Sequence, residues 1–290
     1  MNKTVVGIGE MLWDMLPQGK QLGGAPANFA YHASQMGCDG VAVSAIGTDT
    51  LADEIDQHLA HRNIHALLQR NKCATGTVNV TLDAAGVPQY EITANVAWDN
   101  MEYTDQMGAL ASKCDCVCFG SLAQRSETSR NSIIRFLDHM PADSIKVFDI
   151  NLRQNFYSRE IIETSLERAT VLKINDDELE LVTPMLGLTG DTENRCRQLL
   201  GNYGLTAVIL TCGANGSSVY TATEMSHLDT PSVDVVDTVG AGDSFTGAFC
   251  ASILAGKSIS EAHRKAVDVA AYVCTCAGAM PQLPAELTDL

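Results

Sequence analysis

Basic residues are scarce in this 290-residue chain: 19 Lys and Arg stand against 35 Asp and Glu, a net charge of −16. Such a surface repels polyanions, so nucleic acid and anionic membrane are not expected partners. No stretch has enough consecutive apolar residues to span a bilayer. The opening MNKTVVGIGEMLWDMLPQGK lacks an apolar run ending in small residues, the mark of a secretory signal. CxxC pairs are missing although there are 10 cysteines, so reduced thiols in a cytoplasmic protein are expected. There is no GxSxG elbow and no GxGxxG with a following ribose acid, which removes α/β-hydrolase and Rossmann readings as leading candidates. Internal repeats, low-complexity tracts and linkers are absent too. Residues 1–290 therefore read as one large domain with an appendage, near the size at which a single core stops growing.

What is present is the 46% apolar content of an ordinary globular enzyme, and one conspicuous stretch, Asp237-Thr-Val-Gly-Ala-Gly-Asp-Ser-Phe-Thr-Gly-Ala-Phe249. Phe245, Ala248, Phe249, Ser252 and Ile253 recur on one helix face, so Gly240, Ala241 and Gly242 form the turn that opens a helix. Helix N-termini carry unpaired N–H groups and partial positive charge, which suits a phosphate or a developing anion. Asp243 then has two readings, an N-cap or a general base beside an anion cradle. Spacing alone leaves both open.

Other polar groups fall where short apolar runs end. Val5–Gly9 reads as a buried parallel strand, with Glu10 and Asp14 at its C-terminal edge. Gly23-Gly-Ala-Pro-Ala-Asn28 turns into a helix over 27–35. From Thr75 the period changes to strict alternation on either side of 84–88, which predicts a β-hairpin off the main sheet. Residues 11–22 and 75–100 together are expected to make a small β lid. Asp149-Ile-Asn-Leu-Arg153 and Lys173-Ile-Asn175-Asp-Asp-Glu178 each follow a strand; without more information they read as an Asx turn and as helix caps. Ala207–Gly216 reads as strand and glycine turn. Cys114, Cys116 and Cys118 alternate on an apparent strand and are expected on one buried face. His58, His61 and His65 read as a solvated helix end, and the near P-loop around Gly256 as a helix terminator.

The string DTVGAGDSFTGAF resembles the C-terminal signature of the ribokinase-like (PfkB-type) carbohydrate kinases. The GGAPAN, DxNxR, KxNxxE and TxGxxG stretches follow the same family's order along the chain, and the lid string looks like its fructokinase branch. The resemblance implies a three-layer α/β/α core with a mainly parallel sheet and a small β-sheet lid. It implies ATP and Mg²⁺ as co-substrate and metal, with K⁺ as a candidate monovalent cation near Asp237. It implies Asp243 as catalytic base and Gly240, Ala241 and Gly242 as anion hole. Asp14, Gly24, Asn28 and Arg153 would contact sugar, joined by Asn79 and Tyr90 from the lid. Asn175, Thr211, Gly213 and Gly216 would contact ATP, and Asn175 and Glu178 the Mg²⁺–water network. The implied reaction is phosphoryl transfer to a sugar primary hydroxyl, fructose first. The alternatives are 2-keto-3-deoxygluconate, ribose or tagatose as acceptor, or a sensor without turnover. A homodimer through the lid is a further expectation.

Overall fold

The computed structural model describes residues 2–16, 19–62, 64–82 and 88–290, with the side chains of 80–82 and 88–90 left aside. The apolar strands β1 (Thr4–Ile8), β4 (Asp39–Ile46), β5 (His65–Arg70), β8 (Cys116–Phe119), β9 (Ile145–Asp149), β10 (Val171–Asn175) and β11 (Ala207–Thr211) pair in parallel. Two antiparallel strands, β12 (Ser217–Tyr220) and β13 (Met225–Leu228), complete a nine-stranded sheet in the order β13-β12-β11-β10-β9-β8-β1-β4-β5. Both faces of its centre are buried, which is why β1 is buried at every position rather than alternating.

Helices cover the two faces. One face carries α1 (Ala25–Gln35), α8 (Ala241–Leu254) and α9 (Ile259–Cys274), packed through Phe29, Phe245 and Val267 onto Val5, Cys116 and Ile209. The other carries α3 (Asp105–Ala111), α4 (Glu127–His139), α5 (Arg159–Leu166), α6 (Asp176–Leu186) and α7 (Thr192–Asn202), packed onto Val117, Phe119 and Phe148. Near β4, α2 (Thr50–His61) closes a third cluster through Ile55 and Leu59, and a short α10 (Ala285–Thr288) ends the chain. Among these, α8 is buried without a break from Ser244 to Ser252, as expected of a helix apolar on nearly every side. No helix among the described residues is long and apolar enough to cross a membrane.

A second sheet, β3-β2-β6-β7, is built from β2 (Leu12–Leu16), β3 (Gly19–Gly23), β6 (Gly76–Leu82) and β7 (Pro88–Ile92). Its strands stop at Ile92. Residues 97–100, expected as part of the lid, instead form a 3-10 turn in the main core, with Trp98 fully buried. The hairpin tip at 84–87 lies outside the described residues. Cys114 precedes β8 rather than joining it, so it packs with Val117 and Phe119, on the side away from Cys116 and Cys118. Gly256 follows α8 with φ 82, a helix terminator as expected.

Chain order places β4 and β5 on one side of β1 and β8 to β11 on the other. Connections leave β1 and β8 in opposite directions, so a crevice opens past their C-terminal ends, where open α/β sheets bind ligands. Glu10, Asp149, Asn175 and Thr211 all stand at that edge.

Candidate active site

α8 starts without a side-chain cap. Gly240 takes that position at φ 78, and a Cβ there would stand 2.7 Å from the Ala279 Cα, so only glycine fits. The Ala241 amide donates to the Thr238 carbonyl and Ser244 to Gly240, whereas the Gly242 and Asp243 amides have no backbone acceptor among the described residues. Two unpaired N–H groups at a helix N-terminus form an anion cradle. Asp243 therefore caps nothing here.

Instead, Asn28 Nδ2 donates to Asp243 Oδ2 at 2.7 Å. Asn28 reaches across because Gly24, at φ 122, starts α1 where a Cβ would lie 2.4 Å from the Glu10 carbonyl oxygen. Burial first, then the neighbouring Asp149 charge, push the Asp243 carboxyl up to about 6. The Asn28 hydrogen bond and the Lys173 and Arg153 cations pull against that rise. The result is a carboxylate that is ionised at neutral pH yet basic enough to take a proton.

Beneath the cradle lie the first residues of the DxNxR and KxNxxE stretches, to which the resemblance gave no site role. Asp149 and Lys173 face one another in adjacent parallel strands, with Nζ 3.2 Å from Oδ1. Alternation turns both toward α8: a Cβ at Gly242 would sit 3.0 Å from Lys173 Nζ, and Thr246 Oγ1 lies 3.5 Å from Asp149 Oδ2. Burial alone would lower Lys173, but the carboxylates of Asp149, Glu178 and Asp243 hold its pKa above the ordinary value. It stays cationic under the cradle. The strand position of Lys173 just before an Asn-x-x-Glu cap was the only sequence signal for it.

On the opposite wall, burial pushes Asp14 up to about 6 against the pull of Arg153. Glu10 is 4% exposed, and its Oε2 has no hydrogen-bond partner among the described residues. Burial pushes it up to about 7, opposed by the Ala25 amide and by Arg153 and helped by Asp243. The exposed Arg153 thus acts electrostatically on Glu10, Asp14 and Asp243 together, which brings the DxNxR and GGAPAN stretches to one crevice. Asn79 does not join them. It pairs with Met15 while Asp14 pairs with Val78, so alternation places Asn79 on the opposite face, where it is exposed. Tyr90 pairs with Val80 in the ladder, and its side chain lies outside the described residues.

Asn175 and Glu178 form a reciprocal capping box on α6: Glu178 N donates to Asn175 Oδ1 at 2.8 Å, and Asn175 N to Glu178 Oε2 at 3.0 Å. Glu178 Oε1 takes the Leu152 amide as well. Asn175 faces Thr211 across the β10–β11 ladder. Beyond Thr211, Gly213 opens a 3-10 turn, and Thr230 Oγ1 bridges the Gly213 carbonyl and the Gly216 amide at 2.5 and 3.1 Å. Asp237 ties two loops, accepting from Val239 N at 3.0 Å and Gly278 N at 3.1 Å.

These groups fit a nucleotide's phosphates: a cradle of free amides, a buried ammonium and a glycine turn at the sheet edge. No cluster of three or more His, Cys, Asp or Glu among the described residues could cage a metal ion.

Among proteins of known description, the chain is 27% identical over 300 residues to an ATP-dependent 6-phosphofructokinase of Thermoanaerobacterium thermosaccharolyticum, covering 97% of this chain and 90% of that one. It is 27% identical over 305 residues to a fructokinase of Solanum tuberosum, covering 97% and 93%. Its fold superposes on a fructokinase with bound ATP from Xylella fastidiosa with a TM-score of 0.86, at 23% identity over 98% of this chain and 96% of that one. The profile of the pfkB family carbohydrate kinases matches residues 17–286. With the uncapped glycine turn, Asp243 and the two-sheet architecture all in place, the chain belongs to the pfkB family of carbohydrate kinases.

Proposed function

We propose that this kinase transfers the ATP γ-phosphoryl group to the 6-hydroxyl of fructose. The observation that carries the reading is the 2.7 Å hydrogen bond from Asn28 to Asp243, which joins the GGAPAN sugar element to the cradle. Asp14, Gly24, Asn28 and Arg153 hold the sugar hydroxyls, since carboxylate, amide and guanidinium together offer both donors and acceptors. Asn79, on the far face, leaves that set. Asp243 accepts the hydroxyl proton as the new bond forms, and its raised pKa suits it to that task. The Gly242 and Asp243 amides, presented by the Gly240–Ala241 turn, receive the developing charge on the phosphoryl oxygens, with Lys173 below them.

Asn175, Thr211, Gly213 and Gly216 line the nucleotide side. Mg²⁺ would neutralise phosphate charge there. Glu178 keeps unused lone pairs beyond its backbone bonds and would reach the metal through water, as would Asn175. Asp237, with carbonyls of its two loops, would hold K⁺. The second sheet closes over the sugar and excludes water.

A second reading rests on the Thermoanaerobacterium relative, which is as similar as the potato enzyme. An exposed Arg153 beside the sugar groups also suits a phosphorylated fructose. The test is ADP release with MgATP over fructose, fructose 6-phosphate, ribose, tagatose, glucose and 2-keto-3-deoxygluconate. Saturable release with fructose is expected. Release with fructose 6-phosphate alone selects the second reading, and release no faster than with water rejects both.

A further inference from the structure

Arg125 belongs to none of the motifs, yet it joins separate parts of the chain. It ends the 3-10 turn Leu122–Arg125, just past β8, and its side chain is 8% exposed. Its Nε and Nη2 each lie 2.8 Å from the Asp99 carboxylate, a bidentate pair buried on both sides. Nη2 also donates to the Thr93 carbonyl at 2.6 Å. The guanidinium carbon stands 4.1 Å from the Trp98 ring centroid and 4.5 Å from that of Phe156. Nη1 has no hydrogen-bond partner among the described residues, and the two ring contacts add cation–π attraction to the group.

Both roots of the β6–β7 hairpin converge there. Thr93 follows β7 and donates its amide to the Thr77 carbonyl of β6 at 3.0 Å. Asn95, at φ 57, makes the tight turn out of the hairpin. At the other root, a Cβ on Gly76 would lie 2.3 Å from Trp98 Nε1, so β6 begins directly against the indole. Phe156 leads the other way: its amide donates to the Arg153 carbonyl at 3.1 Å, closing a turn entered through Asn151 at φ 46. One guanidinium thus touches the hairpin root and the turn bearing Arg153.

We infer that Arg125 is a positioning residue that couples the hairpin of the second sheet to the Arg153 turn, so that closing the sheet and placing Arg153 against the acceptor are one event. The inference rests on reading the second sheet as a sugar lid. Arginine is required rather than lysine, because only a flat fork pairs bidentately with Asp99 while lying against two rings. Phe156 is the arm that reaches the cleft, and trimming it leaves the Asp99 pair intact.

Hydrogen exchange on the full chain tests this without knowledge of the acceptor. In Phe156→Leu, amides of 88–96 as well as 150–158 should exchange about tenfold faster, with β1 and β8 unchanged. Acceleration confined to 150–158 would overturn the coupling. In the kinetic arm, Phe156→Leu and Arg125→Lys should raise the sugar KM about tenfold and increase ATP hydrolysed per sugar phosphorylated, with the MgATP KM unmoved. Unchanged sugar KM and hydrolysis in folded Phe156→Leu would overturn the positioning role, whatever Arg125→Lys does. A wild-type protein inactive on every sugar would reject the kinase substrate reading, while the exchange result still decides the coupling.

Discussion

Lys173 and Asp149 oppose one another across the β9–β10 ladder, 3.2 Å apart beneath the first turn of α8. Removing one partner leaves the other as an uncompensated buried charge. Lys173→Met is expected to cost about 3–5 kcal/mol. Urea unfolding measures it, and the double change Lys173→Met with Asp149→Leu should recover much of the loss.

The raised pKa of Asp243 sets a pH dependence. As base it must be ionised, so kcat/KM for sugar should fall as pH drops through about 6. Asp149, Lys173 and Arg153 all act on this carboxyl, which in turn raises Glu10, and Lys173→Met should move the limb to higher pH, because Lys173 holds the value down.

Stability runs the other way. A carboxyl whose folded pKa lies above its unfolded value contributes stability below the unfolded pKa and loses it as pH rises through the folded one. Ionised Asp243 therefore weakens the native state above pH about 6. Asp243→Asn should melt higher than wild type at neutral pH, and that advantage should vanish in acid. Thermal melts across pH check the sign.

The αL turn is testable at one atom. Gly240→Ala puts a methyl against Ala279 at a φ of 78, a strain of about 1–3 kcal/mol. If the displaced amides are the anion cradle, kcat should fall about 10²-fold or more. A loss of stability with unchanged kcat would separate the turn from the chemistry.

Metal removal should act on activity alone. Since Mg²⁺ would enter with the nucleotide's phosphates, EDTA should abolish ADP release and leave the melting temperature of the free protein unchanged. Restoration by Mg²⁺ completes the check.

Local signals made much of this legible. The glycine turn before a 3.6-residue apolar period located α8, alternation located the second sheet, and the Asn175–Glu178 spacing is the capping box that forms. What escaped depends on long-range register. Nothing local to Asp149 or Lys173 shows that β9 and β10 pair so as to bring them together. Glu10 gives no sign that α1 will bury it, and Arg125 looks like a surface arginine until residues 93–99 fold against it. Asn79 was misplaced by one residue of alternation, since the β2–β6 register fixes which side faces Asp14.

The most direct test is turnover of Asp243→Asn against wild type under saturating MgATP and sugar, with nucleotide binding measured calorimetrically on both. The account predicts kcat lowered by about 10²–10⁴ with ATP affinity retained. Near-wild-type turnover in a folded Asp243→Asn protein would contradict it.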